Sequence, residues 1–229
     1  MAYATFIIKS RLSRRYFFEN VIVPLSLCKV EVYLNTFLLK LFMELTDIKF
    51  LAKGHRSTVY TARYNGKIVA VKERRSDIDV SQHILNEGRI LKILNKHRIG
   101  PKPYYYDKDK LVMEYVNGSR ILDWIEKNKS KAKIRKVIID LLKQCIIMYK
   151  LGIEKMEMHK PVKHVIIGKR ITLIDFERAR KRKHPRNVTQ LCQFFFRIKV
   201  MKRDVDILKR YKKNQTDKNF ISLKKLLLL

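Results

Sequence analysis

The chain has 229 residues, 46% of them apolar, enough to bury the core of one two-lobed domain or two small ones. Lysine and arginine total 52 against 21 acidic residues, and the resulting charge of +31 favours polyanionic partners: nucleotides, RNA or an acidic protein. Three widely spaced cysteines, Cys28, Cys145 and Cys192, exclude a disulfide framework or a paired-cysteine zinc site and suit a reducing cytoplasm, and no run of roughly 18 uncharged apolar residues occurs that would cross a membrane.

In chain order, residues 1–42 come first. Arg11, Arg14 and Arg15 precede Val21-Ile22-Val23-Pro24-Leu25, the outline of a signal peptide. Glu19 and Asn20 interrupt it, Lys29 and Glu31 follow closely, and the small-residue cleavage pattern is missing. These residues are read as an extension outside the core, of the kind an over-long reading frame produces, with the core starting at Met43.

From Ile48 to Lys72 the pattern is that of strands. A turn falls at Lys53-Gly54-His55-Arg56-Ser57, alternation follows through Val59–Tyr64, and Asn65-Gly66 is a two-residue hairpin signal because both positions accept positive φ. Ile68–Val71 is apolar throughout, as in a strand buried on both faces. Ser81–Lys96 reads as a helix with Ile84, Leu85, Ile90, Leu91 and Leu94 on one side. Two strands, Tyr104–Tyr106 and Leu111–Tyr115, precede a break at Asn117-Gly118. A short helix over Ile121–Lys127, a long one over Ala132–Leu151, an irregular loop Glu154–Lys163, a hairpin across Gly168-Lys169-Arg170 and a helix over Asn187–Val200 complete the pattern. From Arg178 to Leu229 there are 17 Lys or Arg against 3 acidic residues, with Arg178–Arg186 the densest run.

Two residues carry the chemistry. Lys72 closes an apolar strand, where an ammonium is costly unless paired. Asp175 follows Leu173-Ile174 at a hairpin end, where packing does not call for a carboxylate but a hard cation does. This order of lysine, helix glutamate, Met113-Glu114-Tyr115 and late aspartate resembles the protein-kinase-like superfamily, nearest to the small archaeal predicted serine/threonine kinase group related to RIO/Bud32 kinases, over roughly Leu45–Thr189.

The resemblance implies an α+β, bilobal protein-kinase-like fold. Residues 43–116 would form an antiparallel-sheet small lobe with one helix, 117–213 a reduced, mainly helical large lobe, and 214–229 a basic and apolar tail. It implies ATP with Mg²⁺ or Mn²⁺, held by a phosphate loop at Ala52, Gly54, Ser57 and Val59 of which only Gly54 keeps the glycine. Ala70 and Met113 would wall the adenine, Glu114 and Val116 would offer backbone contacts, Lys72 would hold phosphates and Glu87 would orient Lys72. Asp175 would hold metal, in Asp175-Phe176-Glu177 where kinases carry Asp-Phe-Gly. Glu177 either adds a metal carboxylate or pairs with Arg178 or Arg180. Aligned back from Val165-Ile166-Ile167, the catalytic loop puts His159 in the base position and His164 in place of the metal-binding asparagine.

The activity implied is transfer of the γ-phosphate of ATP to Ser or Thr of a protein substrate, by autophosphorylation, or to water. Two rivals stand beside it: a pseudokinase acting as a nucleotide-responsive module, and a basic RNA- or ribosome-associated protein. A small-molecule kinase of the aminoglycoside or choline type shares the fold but keeps the loop aspartate. All enzyme readings require an ammonium and a carboxylate facing one cleft wide enough for a triphosphate.

Overall fold

The computed structural model describes residues 44–75 and 81–227. Asp47–Leu229 form one compact unit; Met1–Thr46 form another, of which 44–46 are described. The extension read at residues 1–42, and Cys28 within it, lie outside the described residues. The fold is α+β.

An antiparallel sheet of five strands runs in the order β1-β2-β3-β5-β4. Its strands are β1 (Thr46–Lys53), β2 (Ser57–Tyr64), β3 (Lys67–Arg74), β4 (Pro103–Tyr106) and β5 (Lys110–Glu114). The β2–β3 hairpin closes through Asn65 and Gly66, both at positive φ (47° and 73°), as the dipeptide dictates. The register sets Val59 opposite Lys72 on one side of β3, and Leu111 opposite Lys72 and Met113 opposite Ala70 on the other.

Helix α1 (Ser81–Leu94) lies against β3, β4 and β5, burying Ile84, Ile90, Leu91 and Leu94. It ends in a 3₁₀ turn, Asn95–His97, closed by Arg98 in the left-handed region (φ 57°).

Helices α2 (Ile121–Lys127) and α3 (Lys131–Lys150) follow, the latter capped by the Ser130 hydroxyl accepting from Lys133 N–H. Ile138, Leu141, Leu142 and Cys145 of α3 are fully buried and share one core with Leu191, Cys192 and Phe195 of α4 (Asn187–Arg197). Between them, β6 (Ser119–Arg120), β8 (Val165–Ile167) and β9 (Ile171–Leu173) make a three-stranded sheet, and β7 (Ile153–Glu154) pairs with β10 (Arg180–Lys181). The chain closes with α5 (Val205–Lys213) and α6 (Asp217–Lys225). The segment read as a tail from 214 contributes α6, whose Phe220 and Leu223, with the following Leu226 and Leu227, are buried in the core. No helix of the described residues is long and apolar enough to cross a membrane.

Candidate functional site

The site begins with strand β3. Val69, Ala70 and Val71 are buried, so the backbone delivers Lys72 into an apolar setting with its side chain 8% exposed. Helix α1 brings Glu87, 15 residues on, within 2.7 Å of the Lys72 ammonium. The turn after β9 brings Asp175 Oδ1 to 3.3 Å and Glu177 Oε2 to 2.9 Å. Burial works against the lysine's charge, but the carboxylates of Glu87, Asp175 and Glu177 outweigh it and hold the ammonium protonated well above its ordinary range.

Glu87 also acts at distance along the chain. Its Oε1 accepts from Phe176 N–H at 2.8 Å, while the neighbouring Asn86 donates to the carbonyls of Glu177 (3.1 Å) and Ala179 (2.8 Å). Helix α1 therefore grips the Asp175–Ala179 segment by its backbone. Asp175 sits in the left-handed region (φ 64°), Phe176 is fully buried, and Glu177 turns back toward the sheet. Burial raises the Asp175 pKa; Lys72, Lys155 and His164 reverse that and leave it below the ordinary carboxylate value. The sequence offers Glu177 as a partner of Arg178 or Arg180 or as a metal carboxylate. In the structure its partners are Lys72 and, at 3.4 Å, Arg56. Arg178 pairs with Glu157 and Arg180 with Glu154 instead, because the sharp turn at Asp175 sends Glu177 inward while Arg178 and Arg180 stay exposed.

His159 lines a separate recess with Arg186, Gln190, Lys209 and Lys212, and its carbonyl accepts from Arg197 at 2.6 Å. Lys155, Glu157, His164 and Glu177 line the recess beside Asp175. Glu157, itself at φ 67°, has its carboxylate 3.4 Å from His164 Nε2, and His164 Nδ1 lies 3.4 Å from Asp175 Oδ2 without the alignment of a hydrogen bond. Burial and the nearby Lys155 charge lower the His164 pKa, which keeps the imidazole neutral at neutral pH. An ungapped count back from His164 lands on His159; a loop two residues longer lands on Glu157, the one acidic residue between Lys155 and His164. That lone carboxylate was the available signal.

Lys155 was also missed, and in a chain with 52 basic residues nothing marks it. Its ammonium is buried under the site, donates to the Asp175 carbonyl at 2.7 Å and lies 5.2 Å over the Phe176 ring. Burial pushes its pKa down to about 8. Behind it, Asn187 accepts from Lys155 N–H (2.9 Å) and donates to the Ile153 carbonyl (2.7 Å), fixing the backbone where the lysine leaves β7.

The phosphate-loop residues lie as follows. Ala52 and Gly54 are exposed, Ser57 is buried, Gly54 N–H donates to the Ser57 carbonyl at 2.8 Å, and Val59 is half-buried beside Lys72 in the ladder. At the hinge, Met113 is half-buried opposite Ala70. Glu114 N–H donates to the Lys102 carbonyl, and its carboxylate binds Arg170 at 2.5 Å. Glu114 and Val116 line a cavity of about 670 Å³ with Gly118, Gly168, Arg170 and Thr172, and neither Lys72 nor Asp175 contributes to its wall. The space beside Asp175 measures about 10 Å³. Ammonium and carboxylate converge, and the Glu177 carboxylate lies between Lys72 and Arg56.

Chemically, the cluster offers carboxylate oxygens to a hard cation and two cations, Lys72 and Arg56, to phosphate oxygens. Carboxylate atoms of Glu87, Asp175 and Glu177 all lie within 4.8 Å of one another. His164 adds a nitrogen, a better match to Mn²⁺ than to Mg²⁺.

An uncharacterized protein of Methanocaldococcus jannaschii, MJ1211, is similar to this chain, with 30% identity over 84 residues that span 37% of the chain and 72% of that protein. No family model matches the chain.

Proposed function

We propose that this chain, which belongs to the same family as the uncharacterized protein MJ1211 of M. jannaschii, is an ATP-dependent phosphotransferase acting on Ser or Thr, with a bilobal protein-kinase-like arrangement. One observation carries the reading. A single buried ammonium is bound both by a helix carboxylate 15 residues away and by a hairpin carboxylate 103 residues away. A buried cation gathered from such separate parts of a chain is expensive as mere structure, because each ion must be stripped of water.

In this reading Lys72 binds phosphate oxygens and Glu87 orients it. Asp175 is the residue that would hold a divalent ion, with His164 beside it. A bound ion supplies neutralisation of charge between phosphate oxygens. Glu157, rather than His159, stands where a hydroxyl proton is accepted, with His164 Nε2 steering its carboxylate. Arg178 pairs with the Glu157 carboxylate at 2.5 Å. Lys155 fixes the Asp175 carbonyl and so the left-handed turn that aims the Asp175 side chain. The partner is a protein substrate offering a hydroxyl or a polyanion such as RNA, the latter consistent with the charge of +31.

Incubation with γ-labelled ATP and Mg²⁺ or Mn²⁺ tests the assignment. Lys72→Met and Asp175→Ala abolish labelling of protein and release of phosphate. Glu157→Gln lowers the rate by about 10²–10⁴-fold, the usual contribution of a general base, and His159→Ala leaves it near wild type. Equal labelling in all four variants removes the site from the mechanism.

A second reading, a nucleotide-responsive module without turnover, draws on the same ion pairs, which are complete without any ligand. It predicts nucleotide binding with no transfer of label to protein or water.

A further inference from the structure

Of the three carboxylates around Lys72, Glu177 has no role in the reading above. Its backbone carbonyl is held by Asn86, and its side chain, 14% exposed, reaches back to the sheet. Oε2 lies 2.9 Å from Lys72 and Oε1 lies 3.4 Å from Arg56. Arg56 belongs to the β1–β2 turn, 121 residues away, the same turn that Gly54 and Ser57 close. One carboxylate from a late turn thus bridges two cations of the sheet, one oxygen to each, as a phosphoryl group would.

Lys72 does not require Glu177 for charge balance, since Glu87 at 2.7 Å and Asp175 at 3.3 Å already flank it. The Glu177 carboxylate already takes the hydrogen-bonding positions on both cations, and the Lys72 side chain is only 8% exposed. Phosphate oxygens reach Lys72 and Arg56 only if the Glu177 side chain leaves.

We infer that Glu177 is an internal competitor for the phosphate position, and that Arg56 is a phosphate contact uncovered when Glu177 swings away. This rests on the nucleotide-binding reading given above. The closed state has the carboxylate between Lys72 and Arg56; the open state has it in solvent and nucleotide phosphates on the same two cations. Apparent nucleotide affinity is then reduced by the fraction of molecules that are open.

The full chain and its Glu177→Ala, Glu177→Gln and Glu177→Ala/Arg56→Ala variants are titrated with a fluorescent ATP analogue in Mg²⁺, and dissociation constants are compared. Glu177→Gln keeps the side-chain volume and serves where alanine perturbs folding. Both single variants should bind about tenfold tighter than wild type or better. The double variant should bind more weakly than Glu177→Ala, because the uncovered contact is gone. If wild type binds and the Glu177 variants bind equally or less tightly, Glu177 is not a competitor and the inference falls alone. If neither wild type nor the Glu177 variants bind nucleotide, the nucleotide-binding reading falls with it.

Discussion

Glu154 is the most constrained ion outside the site. Its side chain is fully buried, and Arg180, Arg182 and Arg186 approach it at 3.2, 3.3 and 3.3 Å. Arg186 N–H donates to it as well, at 3.0 Å. Burial raises its pKa, but the Arg186 and Arg180 hydrogen bonds overcome that and leave it below its ordinary 4.5. Because the folded-state value is depressed, Glu154 contributes stability in full above about 4.5 and loses it as pH falls through the lower folded value. Glu154→Gln should therefore cost about 1–3 kcal/mol at pH 7, and the gap to wild type should shrink below pH 4.5. Urea denaturation of both proteins at pH 7, 5, 4 and 3 checks this; a gap unchanged at pH 3 would mean the carboxylate's charge is irrelevant. Lys72 and Asp175 were legible in the sequence because each sits where local pattern makes its residue type costly. Glu154, Lys155 and Glu157 were not, because a two-residue strand and the loop after it carry no periodic signal and their partners are remote.

Helix α1 and strand β4 approach so closely that Gly88 has no room for a side chain. A Cβ built there would lie 2.2 Å from Tyr106 Cγ and 2.6 Å from its Cβ, so rotating the ring gives no relief. In an exposed helix Gly→Ala gains up to about 1 kcal/mol. Here overpacking should dominate, with a net loss of about 1–2 kcal/mol. Since Glu87 is the next residue, the same shift should loosen the Lys72 pair. Thermal denaturation of Gly88→Ala, alone and with Tyr106→Ala, distinguishes the cases: the second change should recover part of the loss only if the ring is what alanine strikes. At this scale the five-strand sheet and the helices over residues 81–94, 121–127 and 131–150 follow from periodicity and turn chemistry, since both are local. The two-residue strands β6, β7 and β10 carry no periodic signal and exist only because a partner lies alongside. Helix α6 was read as tail because its short amphipathic pattern shows a burying face only once α5 packs alongside and the core receives Phe220 and Leu223.

Over the whole molecule the charge of +31 is the dominant long-range feature. Three guanidiniums around one buried carboxylate leave local positive charge uncompensated, with Arg180, Arg182 and Arg186 all more than two-fifths exposed. Single-stranded RNA should bind with an affinity that falls steeply with salt, the log–log slope being about −0.7 per phosphate neutralised. Lys209→Glu with Lys212→Glu should weaken it, while Lys72→Met should leave it unchanged, because Lys72 is buried and paired. Filter binding across a salt series measures both, and equal loss with Lys72→Met would place RNA in the site instead.

From the sequence alone came a strand carrying Lys72 after a buried apolar run, a helix offering Glu87, a hairpin leading to Asp175, and a charge that calls for anions, since each depends on neighbours within a few residues. Tertiary structure alone decided which carboxylates surround Lys72, that Glu157 rather than His159 lines the recess beside Asp175, and that Glu177 lies between Lys72 and Arg56. Those outcomes hinge on gaps of a few ångströms between residues up to 121 apart in the chain. Only the packing of α1 against the sheet and of the Asp175 turn against α1 sets such gaps.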